Sequence, residues 1–249
     1  MKEKIELFGL RFDDYDREEL KARLRELLSS SGQAYLVTPN PEIIMSALKD
    51  REYADALHNA DLCIAEGVGV KIASDILDAG LRCRIPGIEI GEMVLSICAD
   101  DSLSVFMLGG ADGVSNSASS NMKEKYSGLR IAGSRHGYFS EKDDDDIVNE
   151  INSSGAGVLF VCLGYPRQEK WISRNIGRLT SVKLALALGG SLDVYAGKVR
   201  RAPVIFRKLG LEWLYRGFLS FDRFKRMLRL PLFIKYVYKA KQNMKRTKN

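Results

Sequence analysis

Short apolar runs recur along this chain, separated by longer stretches of mixed polarity. The runs cover residues 34–37, 61–64, 104–108, 157–163 and 183–188. Each is too short for a buried helix and shows no polar alternation, which predicts strands covered on both faces. Between them lie helical patterns. Residues 16–28 place Leu20, Leu24, Leu27 and Leu28 on one face, and residues 113–126 form a second helical stretch. Strand–helix alternation of this kind predicts an α/β fold with a mainly parallel sheet. The chain shows no internal repeat and no low-complexity linker.

In open α/β sheets of the Rossmann-like type, ligands sit beyond the carboxyl ends of the strands. The residues after each run therefore carry the candidate chemistry. Thr38-Pro39-Asn40-Pro41-Glu42 follows the first run, and Ala65-Glu66-Gly67-Val68-Gly69 the second. Gly109-Gly110-Ala111-Asp112-Gly113, Gly164-Tyr165-Pro166-Arg167-Gln168-Glu169 and Gly189-Gly190-Ser191-Leu192-Asp193 follow the other three. Glu66, between a strand and two glycines, is the candidate general base, because the glycines let a ligand approach the backbone. A solvated loop acid is the plain alternative. Thr38, Asn40 and Gln168 are uncharged hydrogen-bonding groups suited to sugar hydroxyls or an acetamido group. Gly109-Gly110-x-x-Gly113 can cradle a diphosphate at a helix N-terminus. It lacks the dinucleotide fingerprint, and an ordinary tight turn has the same composition.

Charge changes the picture at one end. The last 52 residues hold 16 of the 38 Lys and Arg but only Glu212 and Asp222 among the 32 acids, a net charge of +14. Residues 1–197 keep 22 basic and 30 acidic residues, a net charge of −8. Such asymmetry predicts an acidic partner: nucleic acid, a phosphorylated ligand or an anionic membrane. Phe218, Phe221, Phe224 and Leu228 recur at near-helical spacing among Arg223, Lys225, Arg226 and Arg229. After Pro231, Phe233, Ile234, Val237 and Tyr238 face away from Lys235 and Lys239. This is the pattern of a basic amphipathic membrane-surface helix. The expected division is an α/β core, residues 1–197, and a basic amphipathic appendage, residues 198–249.

No apolar run approaches the roughly 20 residues that span a bilayer. The N-terminus lacks an apolar stretch, so no secretory signal is expected and the protein reads as cytoplasmic. Cys63, Cys83, Cys98 and Cys162 form no Cys-x-x-Cys pair, and with His58 and His136 make a structural zinc site improbable. The run Asp143–Asp146 invites a metal reading, but acids there fit a helix N-terminus better. His136-Gly137-Tyr138-Phe139 reads as a hydrogen-bonded turn, with an acid/base role as the alternative.

Taken in order, several of these segments resemble one family. They are Thr38-Pro39-Asn40-Pro41-Glu42, Glu66-Gly67-x-Gly69, Leu108-Gly109-Gly110 and His136-Gly137-Tyr138-Phe139, then Gly164-x-Pro166-x-Gln168-Glu169-Lys170-Trp171. Gly189-Gly190-x-x-Asp193-x-x-Ala196-Gly197, Arg201-Ala202-Pro203 and Leu211-Glu212-Trp213-Leu214-Tyr215-Arg216 complete the series. Over residues 5–230 the chain resembles the WecG/TagA/CpsF glycosyltransferases. The resemblance implies transfer of an N-acetylmannosamine-type sugar from its UDP ester to undecaprenyl-diphosphate-linked N-acetylglucosamine, for wall teichoic acid linkage units or other surface polysaccharides. It implies a catalytic carboxylate at Glu66, and Thr38, Asn40 and Gln168 in the pocket. Gly109, Gly110 and Asp193 are carried over as substrate-binding, and Arg216, Arg223 and Arg226 as phosphate-binding. No metal or other cofactor is expected, and peripheral attachment to the inner face of the membrane is. Uridine-linked uronic acid or glucose stay open as donors, as does a homo-oligomeric state. A nucleic-acid partner is not expected, since nothing in the core resembles a DNA or RNA module. Where the family usually carries Asp, this chain has Glu66, one methylene longer; Glu89 likewise stands where Asp is more usual.

Overall fold

The runs lack polar alternation because both faces of the sheet they form are covered. In the computed structural model, which describes residues 4–203, 205–206 and 229–247, the hairpin β1 (Ile5–Leu7) and β2 (Leu10–Phe12) precedes a central sheet. That sheet contains β3 (Ala34–Val37), β4 (Leu62–Cys63), β5 (Ser104–Gly109), β6 (Arg130–Arg135), β7 (Val158–Cys162) and β8 (Leu184–Ala187). Its order is β4-β3-β8-β7-β5-β6, and every pairing is parallel. Along β7, Leu159 and Val161 enter one apolar layer while Val158, Phe160 and Cys162 enter the other. The protein is therefore α/β with a parallel sheet, as the alternation predicts.

Five of the six strands coincide with the apolar runs. β6 was not expected from the sequence, and its residues explain why: Arg130, Ala132 and four half-buried neighbours make an edge strand with no apolar run. The hairpin is too short to register. At the other edge, β4 is protected by the loop after β2. The Asp13 N–H donates to Cys63 O at 2.9 Å, and the Cys63 N–H donates to Asp13 Oδ2 at 2.9 Å. Free strand edges invite unwanted pairing, and this loop covers one.

The helices are α1 (Arg17–Ser29), α2 (Pro41–Ala47), α3 (Arg51–His58), α4 (Val68–Leu77) and α5 (Gly87–Asp100). They continue with α6 (Val114–Lys125), α7 (Asp144–Ser154), α8 (Arg167–Asn175), α9 (Ser191–Tyr195) and α10 (Arg229–Thr247). A capping box of Asp16 and Glu19 starts α1, which buries Leu20, Leu24 and Leu28 as its spacing predicts. Across the adjacent strands β3, β8, β7 and β5, the helix that follows each alternates between faces. The first and third, α2 and α8, enter one layer through Ile43, Ile44, Trp171 and Ile172. The second and fourth, α9 and α6, enter the other through Leu192, Tyr195, Ala118 and Met122. Chain segments that leave neighbouring strand ends in opposite directions open a trough along the carboxyl edge.

The apolar stripe of α10 packs inward rather than lying open. Phe233 and Val237 are fully buried, Phe8 meets the Phe233 ring edge-on at 5.5 Å, and Lys241 pairs with Asp78 at 2.8 Å. The helix rests on α2 and α4. Leu232, Lys235, Tyr238 and Lys239 form its exposed side. The expectation of an apolar face turned outward is thus corrected for Phe233 and Val237, because the core offers them a closer apolar partner. Among the described residues, no helix is long and apolar enough to cross a membrane. The cysteines are free thiols, with Cys63, Cys98 and Cys162 buried; burial pushes Cys98 and Cys162 up to about 12.

One acid lies deep between α8 and α3. Glu169 is 1% exposed, and desolvation raises its pKa from 4.5 to about 7, an effect that bonds from Gln168 and its own backbone moderate. The folded state therefore holds this proton more tightly than the unfolded state does. The resulting stabilisation is complete below about pH 4.5 and is lost as pH rises through about 7. Glu169→Gln, neutral at every pH, should melt several degrees above the parent at pH 8, with the gap closing by pH 5. Thermal unfolding followed across that range checks this; a pH-independent difference would refute it.

Candidate active site

Thr38 and Glu66 leave adjacent strands, β3 and β4, at the same end of the sheet. Their backbones are tied there, since the Glu66 N–H donates to Pro39 O at 3.0 Å. The N-terminus of α5 completes the corner. A Cβ on Gly87, the first residue of α5, would stand 3.1 Å from Thr38 Oγ1 and 3.6 Å from Glu66 Oε2. The hydroxyl and the carboxylate thus face one small space, kept open because residue 87 has no side chain. No side chain caps α5, so its positive end favours negative charge at that corner. Gly87 is a further candidate for the site that its sequence context does not single out; Pro86 before a helical run was its available signal.

Asn40 has a structural task as well as a place beside the corner. Its Oδ1 accepts from the N–H groups of Glu42 and Ile43 at 2.9 and 3.1 Å, capping α2. Gly67 lies against Asn40 and Pro41, and Gly69 lies where a Cβ would press on Pro41 and Leu230. Leu230 stands at the start of α10, which therefore begins next to Pro41 and Gly69.

Gln168 links the other strand ends. Its Oε1 accepts from Gly164 N at 3.2 Å and Gly189 N at 2.9 Å, joining the turns after β7 and β8. Its Nε2 donates to Glu169 Oε1 at 2.9 Å. Next to them, Gly109 has φ +136°, and a Cβ there would overlap Cys162 O. Gly110, at φ +72°, passes equally close to Val114. The pair lets the chain turn tightly into α6, whose N-terminus no side chain caps. Gly137 N donates to Gly110 O at 2.8 Å, and Arg167 holds the same loop through Gly137 O and Phe139 O. His136 Nδ1 accepts from Tyr138 N at 3.2 Å, so the histidine sits in a hydrogen-bonded turn. Asp193 lies half-buried in the first turn of α9, close enough to Cys162 to raise that thiol.

Thr38, Asn40, Glu66, Gly109, Gly110, Gln168 and Asp193 therefore all follow strands of one carboxyl edge. Arg216, Arg223 and Arg226 lie outside the described residues. Asp143, Asp144 and Asp145 are engaged with protein groups: Ser140, the Trp171 indole at 2.8 Å, and Arg178. Among the described residues, no cluster of three His, Cys, Asp or Glu could hold a metal. Glu89 receives both Arg17 and Arg201, the latter at 2.6 Å, and so ties the segment after α9 to α1 and α5.

Comparison with known proteins gives the chain its family. The family model described as "Glycosyl transferase WecG/TagA/CpsF family" matches residues 5–247. Proteins of Staphylococcus aureus strains MRSA252 and NCTC 8325 / PS 47 are each 33% identical over 247 residues, covering 98% of this chain and 96% of theirs. Both are named N-acetylglucosaminyldiphosphoundecaprenol N-acetyl-beta-D-mannosaminyltransferase. A match over nearly the whole length decides the matter: the chain belongs to the WecG/TagA/CpsF family of glycosyltransferases.

Proposed function

We propose that this enzyme transfers N-acetylmannosamine from UDP-N-acetylmannosamine to undecaprenyl-diphosphate-linked N-acetylglucosamine, with inversion at the anomeric carbon. The observation that carries the reading is the corner at which Thr38, Glu66 and the open N-terminus of α5 converge. The relatives' names supply the donor sugar and the acceptor. In this reading Glu66 takes the proton from the acceptor's sugar hydroxyl as that oxygen attacks the anomeric carbon. General-base help of this kind is worth roughly 10²–10⁴-fold. The bond to UDP breaks as the new glycosidic bond forms, and negative charge grows on the departing diphosphate. The N-terminus of α6, reached through the Gly109-Gly110 turn, offers backbone N–H groups to that charge. Arg216, Arg223 and Arg226 add guanidinium forks, which bind phosphate oxygens in pairs. The start of α10 against Pro41 and Gly69, close in the chain to Asn40 and Glu66, supports such a reach. The product would serve cell-surface polysaccharide of the wall teichoic acid type.

Residues 198–249 act in this reading as an appendage with a second task, holding the enzyme on the membrane that carries its acceptor. Each Lys or Arg near an anionic leaflet contributes about 1 kcal/mol, so several give reversible attachment. The exposed Lys235, Tyr238 and Lys239 of α10 suit that contact.

Four outcomes test this. With a donor panel and a prenyl-diphosphate-GlcNAc acceptor, product mass should report N-acetylhexosamine transfer from the UDP-N-acetylmannosamine donor rather than from its uronate or UDP-glucose. In the same assay Glu66→Gln should bind donor but lose at least about 100-fold in turnover; parental turnover would reject the base. Chelator should leave activity intact while Arg223→Ala lowers kcat by about tenfold or more, and loss of activity restored by added divalent metal would overturn the arginine-only account. The full chain should sediment with anionic vesicles and detach at high salt; a truncation after Gly197 that still sediments would contradict attachment by the appendage.

A further inference from the structure

Glu169 is a buried acid that the transfer chemistry does not use. Its Oε2 and the Tyr53 hydroxyl interact electrostatically, yet neither has a hydrogen-bond partner at proper geometry among the described residues. Burying a carboxyl in this way is unfavourable unless its position is needed. The geometry of its neighbour supplies the need. The Gln168 side chain is held at both ends: two N–H groups, of Gly164 and Gly189, reach its oxygen, and Glu169 Oε1 receives its nitrogen. An amide turned over would set its NH₂ against two N–H donors and its oxygen against a carboxylate oxygen. Glu169 thereby selects one of the two amide orientations. Tyr53 on α3, Tyr165 on the turn after β7 and Asp50 at the start of α3 are the other titratable groups close to this cluster.

We propose that Glu169 is a positioning residue for sugar transfer: by accepting from Gln168 it fixes the amide that joins the β7 and β8 turns under the substrate trough. The carboxylate touches no reacting atom. Its effect runs through Gln168 and the two glycine turns, Gly164 and Gly189. Loss of the acceptor leaves a buried NH₂ unpaired and removes one of the three bonds that hold the amide, which loosens its grip on both turns. The inference rests on the placement of Gln168 in the substrate pocket.

The test compares Glu169→Met, Glu169→Gln, Gln168→Ala and the double variant Glu169→Met/Gln168→Ala in the full-length enzyme, with UDP-N-acetylmannosamine and a prenyl-diphosphate-GlcNAc acceptor. Circular dichroism and Tm establish which variants are folded. Glu169→Met, near-isosteric but without an acceptor, should lower kcat about tenfold or more while each KM changes less than about twofold. Glu169→Gln, whose carbonyl can still accept, should keep most of the parental kcat. The double variant should be no slower than Gln168→Ala, since both changes break one linkage. If Glu169→Met does not fold, Glu169→Asp withdraws the carboxylate by one methylene and should give the same fall in kcat. Folded Glu169→Met or Glu169→Asp with parental kcat, or losses that multiply in the double variant, would overturn the proposal. Parental turnover in Gln168→Ala would instead overturn the pocket assignment, and this inference with it.

Discussion

Everything in this molecule that bears on chemistry depends on a sheet whose strands all run the same way and are buried on both faces. Parallel pairing sends each strand's carboxyl end to the same edge. Right-handed crossovers then place the following helix on a face set by the direction of the next step across the sheet. The steps from β3 to β4 and from β7 to β8 run one way across the sheet and the step from β5 to β6 runs the other, while α9 after the last strand, β8, joins the layer of α6, so the segments after these strands part around a trough. The polar and glycine-rich segments after the strands become its walls. Had one of these strands run in the opposite direction, its loop would lie at the far edge.

The trough's floor is held by backbone and amide hydrogen bonds more than by ion pairs. Glu66 is tied to Pro39 through its N–H, Gly110 to Gly137, and the β7 and β8 turns to Gln168. Such bonds orient groups without adding fixed charge to the site. The ion pairs sit farther out: Glu89 with Arg17 and Arg201, and Lys170 with Asp50 and Glu52. There they fasten helices and connecting segments to one another.

The C-terminal helix shows how one amphipathic pattern can be read in two ways. Its period was plain in the sequence, and its charge suggested an anionic surface. A period states only that one side is apolar. Phe233 and Val237 find Phe8 and the flanks of α2 and α4, and water is excluded there without any lipid. The basic side remains outward. The same docking brings Leu230 against Pro41 and Gly69, on the segments that follow β3 and β4.

Five strands, the helices α1 and α6, and the strand-end placement of the site residues were legible in the chain, because unbroken apolar runs and 3.6-residue spacing are local signals. Edge strand β6 was not, since a strand half open to solvent carries polar residues at most positions. The role of Gly87 was not either: a lone glycine acquires meaning only when Thr38 and Glu66 arrive beside it from other strands. Glu169 stood in a recognisable motif, but its burial depends on α3 packing over α8, which nothing within the motif states. The sequence by itself determined the class of fold, the family and the chemical groups available, because these are written in residue types and short spacings. The tertiary structure alone decided which groups face one another and which acid is stripped of water, because those depend on contacts between residues far apart in the chain.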